Sequence, residues 1–174
     1  LKLNPSKCKV ITFSLRKKPV LATYSISSVN LDRVSEIRDL GVILDSKLTF
    51  ASHIDDVIGR ANRALGTYLR SLQTSQAVTG RKFKPGPLIT AFNAHVRSIL
   101  EFGCVIWSGA AKSHMNRLDR VQHKFLMWLA CNSNCPSDSL DYSHLLRHFR
   151  VMRISQRLTQ HDLNLLHDIF FWSV

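Results

Sequence analysis

The sequence predicts an α+β chain, with a small antiparallel strand lobe over residues 1–49 and a mostly α-helical bundle over residues 50–174. Three observations carry this. Short β-branched runs separated by turns fill the first 48 residues. At Phe50 the spacing of apolar residues changes to three and four. The hydrophobic share of 45% in 174 residues is enough for a real core, in one ordinary domain or two small lobes.

Taken in order, Cys8-Lys9-Val10-Ile11-Thr12-Phe13-Ser14-Leu15 alternates and reads as a strand, and Arg16-Lys17-Lys18-Pro19 as a turn. Residues 20–31 carry Val20, Tyr24, Ile26 and Val29 and read as one or two short strands. Ile37 to Leu44, centred on Leu40-Gly41-Val42-Ile43-Leu44, reads as another, closed by the turn Asp45-Ser46-Lys47. Ile54, Val57, Ile58, Ala61, Leu65, Tyr68, Leu69 and Leu72 then form one apolar helical face. Ser52 is the expected N-cap, with Asp55 and Asp56 opposing the dipole in the first turn. Residues 73–87 read as a loop, and Pro87 suits the first position of a helix bearing Leu88, Phe92, Val96, Ile99 and Leu100. A third helix covers about 112–131, with Leu118, Val121, Phe125, Leu126 and Leu129 inward. Residues 132–139 are a loop, and two helical stretches follow near 140–149 and 151–171.

Net charge is +12 and the pI about 10.1, which points to a polyanionic partner, most often nucleic acid. Residues 57–157 alone hold fifteen Lys or Arg against four acids. The basic positions recur at helical spacing as Arg60, Arg63 and Arg70, then Arg117, Arg120 and Lys124, then Arg150, Arg153 and Arg157. An unbalanced row of this kind repels itself unless an anion meets it, so phosphate-backbone contact is the expected use. No apolar run approaches the ~20 residues of a membrane span, and the first residues have no signal-peptide pattern. The sequence opens at Leu1 inside an apparent element and reads as a piece of something longer. Its four cysteines are expected to be free thiols.

Catalytic constellations are sparse. Asp55-Asp56 pairs two carboxylates, but adjacent helical residues point about 100° apart and do not converge on one ion, so no metal is assigned to them. Cys131, Cys135, His144 and His148 are ligands of zinc type, with a gap of eight that is shorter than the ~12 of a finger. Gly80 and Gly86 fit no phosphate-loop spacing, and there is no G-x-S-x-G nucleophile elbow.

Several strings add a family resemblance. Leu3-Asn4-Pro5-Ser6-Lys7-Cys8-Lys9-Val10 resembles motif D of the reverse transcriptases of non-LTR (LINE-type) retrotransposons. Leu40-Gly41-Val42-Ile43-Leu44-Asp45-Ser46-Lys47-Leu48-Thr49-Phe50 resembles their motif E, the primer grip. Arg97-Ser98-Ile99-Leu100-Glu101-Phe102-Gly103-Cys104-Val105-Ile106-Trp107 resembles the R-S-I-L-E-Y-G-x-x-x-W signature of the thumb, with Phe102 for the usual Tyr. Arg117-Leu118-Asp119-Arg120-Val121-Gln122-His123-Lys124-Phe125-Leu126 resembles the adjacent L-E-x-V-Q-x-[KR]-F-L helix. The strings keep their order over nearly the whole chain, while residues 75–86 and 131–150 fit poorly.

The resemblance implies the end of a right-hand polymerase: the palm edge, primer grip and thumb that clamp an RNA template and DNA primer duplex. It aligns Lys7 with a catalytic lysine that protonates departing pyrophosphate, and Leu40, Gly41 and Val42 with the primer grip. Mg²⁺ would belong to the intact polymerase, held by palm aspartates upstream of motif D that this chain lacks, so the chain alone is expected not to polymerise. A nuclear, intracellular setting is implied for the intact element protein. The alternative is a stand-alone, non-catalytic nucleic-acid-binding relic of such an element.

Overall fold

The computed structural model describes residues 4, 7–16, 20–80, 83–133 and 141–171. The chain divides into two compact units, Leu1–His53 and Ile54–Val174, the division falling within the first turn of a long helix.

Among its described residues the first unit holds six short strands: β1 (Lys9–Ile11), β2 (Ser25–Ile26), β3 (Val29–Asn30), β4 (Asp32–Val34), β5 (Glu36–Asp39) and β6 (Val42–Asp45). They form three two-stranded ladders. β2–β3 and β5–β6 are antiparallel hairpins, and β1 pairs with β4 in parallel, Val10 opposite Arg33.

The single strand expected from Ile37 to Leu44 is instead a hairpin: the end of β5, a turn and most of β6. Asp39 pairs with Val42, so Leu40 and Gly41 are the two-residue loop between them. Their φ values of 44° and 90° are those of a left-handed turn of type I′, whose twist matches a hairpin's. Gly41 is what breaks the run, because it takes positive φ without a Cβ clash. Leu40 takes it at a cost and projects from the tip, 89% exposed, while Val42 is buried.

Asp45 organises the turn that leaves β6. Its carboxylate accepts hydrogen bonds from Lys47 N–H (3.0 Å), Thr49 Oγ1 (3.0 Å) and Phe50 N–H (2.7 Å). Burial raises its pKa, but these donors outweigh that and hold it below the ordinary value. His53, also buried, accepts a hydrogen bond at Nδ1 from the Ile43 N–H (3.3 Å).

Helix α1 spans Ala51–Thr79. Ser52 therefore lies inside it and is not the N-cap; its hydroxyl donates to Glu36 Oε1 at 2.5 Å. Asp55 and Asp56 fall beyond the first turn. The helix also runs on through residues expected to be loop. Gln73, Ala77 and their neighbours are adequate helix formers, and the stop comes at Gly80, where φ is 63° and the N–H bonds back to Gln76 O (2.8 Å).

The second unit continues with α2 (Pro85–Phe92), a π-helical turn (Asn93–Arg97), α3 (Ser98–Glu101), α4 (Cys104–Trp107), α5 (Lys112–Asn132), α6 (Tyr142–His148) and α7 (Ile154–Phe171). Pro85, rather than Pro87, opens α2. The π turn answers a packing demand. Leu88, Phe92, Val96 and Leu100 are all buried at four-residue spacing, which overshoots the 3.6 of an α-helix, and a wider turn returns them to one side.

Ile54, Val57, Ala61 and Leu65 of α1, Leu118, Val121, Phe125, Leu126 and Leu129 of α5, and Leu145, Ile154 and Leu158 are buried as well. Phe92 and Phe125 stack within this core, 4.2 Å between centroids. Gly103 (φ 61°) turns the chain between α3 and α4, and the Trp107 indole N–H closes the turn on Phe102 O (3.1 Å). Trp107 is fully buried and is part of this core.

Candidate nucleic-acid interface

Two rungs of equal offset set α1 beside α5. Arg117 pairs with Asp55 (2.6 Å) and Lys124 donates to Asn62 Oδ1 (3.4 Å), seven residues on along each helix. The two helices thus run in the same direction, with the rungs about 10 Å apart. These two helices carry most of the basic residues expected to meet nucleic acid.

Those residues divide into two chemical groups. Arg60 pairs with Asp56 (3.1 Å), and Arg117 with Asp55. Arg157 is held most firmly. Its guanidinium grips Glu101 from both sides, Nε to Oε1 at 2.5 Å and the outer nitrogen to Oε2 at 3.1 Å. Arg97 lies 3.4 Å from the same carboxylate, and His161 Nε2 is 3.2 Å from it. Burial raises the Glu101 pKa, but the hydrogen bonds from Arg157 and His161 and the two guanidinium charges hold it below the ordinary value. The hydrogen bond to Glu101 correspondingly pushes Arg157 up.

Arg63, Arg70, Arg120 and Lys124 are different. All four are exposed, and none has a carboxylate partner among the described residues. Arg70 donates to Thr67 Oγ1 (3.3 Å) on its own helix. Arg153 also has no carboxylate partner among the described residues; its guanidinium carbon lies 4.8 Å over the Tyr142 ring.

The motif residues between these cations are structural. Asp119 and Gln122 are buried. Asp119 accepts from the Ser155 N–H (3.2 Å) and hydroxyl (2.9 Å) in the first turn of α7. Gln122 donates to Met152 O (3.0 Å) and accepts from the Tyr142 hydroxyl (2.7 Å). Burial, and then the Asp119 charge, pushes the Tyr142 phenol well up, so it stays a donor. No role for Asp119, Gln122 or Tyr142 follows from the sequence, although the first two lie within the family string over 117–126 as a polar pair inside an apolar helical stripe.

The remaining expected sites belong to other elements or other side chains. Lys7 is exposed just ahead of β1, its N–H bonded to Asn4 O (3.1 Å). Leu40 and Gly41 form the β5–β6 tip. Asp55 and Asp56 engage different arginines, Arg117 and Arg60, and this pair does not fit a two-metal site. Among the described residues no three His, Cys, Asp or Glu converge as metal ligands. Of the four zinc-type residues, Cys135 lies outside the described residues; Cys131 is exposed, and the His144 and His148 rings are 6.2 Å apart. Cys8, Cys104 and Cys131 are free thiols. No described helix is long and apolar enough to cross a membrane.

Comparison with known proteins places this geometry in a family context. The chain is 30% identical over 138 residues to the probable RNA-directed DNA polymerase from transposon BS of Drosophila melanogaster, covering 78% of this chain. It is 27% identical over 124 residues (70% of the chain) to the probable RNA-directed DNA polymerase from transposon X-element, and 28% over 131 residues (72%) to that from mobile element jockey, both of the same fly. The chain spans only 13–14% of the length of these curated relatives. No family model and no solved structure matches it.

Proposed function

The chain is related to the RNA-directed DNA polymerases of non-LTR transposons, and from that premise we propose that it is the part of such an enzyme that grips the template–primer duplex. The helical unit is read as the thumb. The observation that carries the reading is the set of exposed cations without carboxylate partners, Arg63 and Arg70 on α1 and Arg120 and Lys124 on α5, on two helices that run side by side. Cations left without counter-charges on adjacent helices suit a polyanion whose charges repeat along a backbone. An RNA–DNA hybrid is gripped by shape and phosphate rather than by base edges, which needs no specific pocket.

The β5–β6 hairpin is read as the primer grip. Leu40 and Gly41 form a tight exposed tip on a strand anchored by buried Val42 and by the Asp45 hydrogen bonds. A left-handed conformation held by an exposed leucine is the kind of strain found where a segment must present itself to a partner. Lys7 would act as a proton donor only beside the palm carboxylates and Mg²⁺ of the intact polymerase, to which the copying of RNA into DNA would belong.

The test is anisotropy titration of the chain with a labelled RNA–DNA hybrid across a salt series. The reading predicts that log Kobs falls linearly with log salt, with a slope of about −0.7 to −0.9 per phosphate neutralised. The quadruple variant Arg63→Ala/Arg70→Ala/Arg120→Ala/Lys124→Ala should lose most of that slope. Binding that is absent, or insensitive to salt, overturns the reading.

A further inference from the structure

A shallow pocket of about 140 Å³ opens between α5 and the segment joining α6 to α7, lined by Asn116, Asp119, Arg120, His123, Tyr142 and Arg153. We infer that it seats a single phosphodiester group of the bound nucleic acid, an inference that rests on the grip proposed above and gives it a fixed point.

Four observations carry it. First, the volume is below the roughly 300 Å³ at which small-molecule pockets begin, so it suits one tetrahedral group rather than a nucleotide. Second, Arg153 is pre-positioned. Its guanidinium carbon lies 4.8 Å over the ring of Tyr142, whose hydroxyl is tied to Gln122, which is tied in turn to Met152 O beside Arg153. A guanidinium carries five N–H donors, so one held over an aromatic ring can fork onto an oxyanion at its edge.

Third, the charge matches. Arg120 and Arg153 bring two positive charges, and Asp119 one negative charge whose oxygens are taken by Ser155, with a long contact (3.5 Å) from Tyr142. Asp141 nearby caps α6 by accepting from the Ser143 N–H (3.0 Å). The pocket side chains therefore leave one positive charge for the single negative charge of a diester. Fourth, Asn116, Arg120 and His123 follow one another at four and three residues along one face of α5. His123 Nε2 is shielded from solvent with no hydrogen-bond partner among the described residues, although its ring lies 4.9 Å from that of Tyr142. A shielded imidazole nitrogen without a partner carries a desolvation cost that an acceptor at the pocket would relieve.

A double-mutant cycle on hybrid binding tests the seat. Arg120→Ala and Arg153→Ala should each weaken binding roughly tenfold, as loss of a charged hydrogen bond does. If both meet one phosphate, the double variant should be scarcely weaker than either single one, while Arg120→Ala combined with Arg63→Ala should be additive. Arg153→Lys keeps the charge and loses the fork, and should fall between wild type and Arg153→Ala. Thermal melts confirm that each variant is folded. Wild-type binding of normal salt slope that neither pocket substitution weakens overturns the seat and leaves the grip standing. Strict additivity of Arg120→Ala and Arg153→Ala also overturns the seat, because the two would then meet different phosphates. A wild-type chain that binds no hybrid overturns the grip and the seat together.

Discussion

Arginines of the same helical spacing end in two unlike places. At the junction of α3 and α7, Glu101 gathers Arg157, Arg97 and His161, and its side chain is only 13% exposed. On α5, Arg120 and, beside Tyr142, Arg153 form no ion pair with a carboxylate among the described residues. The first set is paired across helices, and the second has no such partner and is the set proposed above to meet a ligand. Basicity alone does not distinguish them. What does is whether the fold delivers a carboxylate from far along the chain, as it does to Arg157 from 56 residues away and to Arg117 from 62.

The contrast breaks most visibly at Glu101. Glu101→Ala leaves two guanidinium groups facing each other without a counter-charge, and should cost about 3 kcal/mol. A urea titration would show this as a lower midpoint with an unchanged m-value. Hybrid binding of the remaining folded chain should keep its salt slope. A slope that fell with Glu101→Ala would mean that the junction, too, faces the nucleic acid.

Acid sharpens the same contrast. The Glu101 pKa in the folded chain lies below the ordinary 4.5. Its contribution is therefore present at neutral pH and is lost as pH falls through about 4.5 and below, where the carboxylate in the unfolded chain is already protonated. Urea midpoints measured from pH 6 down to pH 3 should fall, and Glu101→Gln should start lower and flatten that limb. Asp45 titrates in the same direction in the strand lobe, so the Glu101→Gln limb should be shallower rather than level.

The smallest effect concerns the hairpin. Leu40→Asn places at φ 44° a residue that tolerates the left-handed region, and Asn-Gly is the favoured type I′ pair. Leu40 buries little, so the exchange should stabilise the hairpin by roughly 0.5–1 kcal/mol, read as a small rise in thermal midpoint. If the exposed leucine meets a primer strand, the same variant should bind hybrid more weakly while melting higher.

Much of this was legible in the sequence. The change of period at Phe50, the buried faces of α1 and α5 and the long basic stretch all follow from spacing and composition, and the family strings mark the relatives. The signature around Glu101 also proves interpretable: Glu101 is the ion-pair hub, Gly103 takes the left-handed turn and Trp107 plugs the core. The failures share a cause. Leu40-Gly41 looked like strand because its neighbours alternate, and only the pairing of Asp39 with Val42 makes it a turn. Helix α1 looked shorter because residues 73–79 have no apolar face, although Gly80 carried the stop signal. Ser52 looked like a cap, but Asp45 and Thr49 supply the local hydrogen bonds just ahead of α1. Which arginines are free depended on partners that no local window contains.

The most direct test compares Arg157→Ala with Arg120→Ala on one pair of readouts, the urea midpoint and the salt slope of hybrid binding. The account predicts opposite losses. Arg157→Ala lowers the midpoint and keeps the slope, and Arg120→Ala keeps the midpoint and reduces the slope by about 0.7–0.9. If Arg157→Ala lost the slope instead, or Arg120→Ala changed only the midpoint, the division between spent and available cations would be wrong.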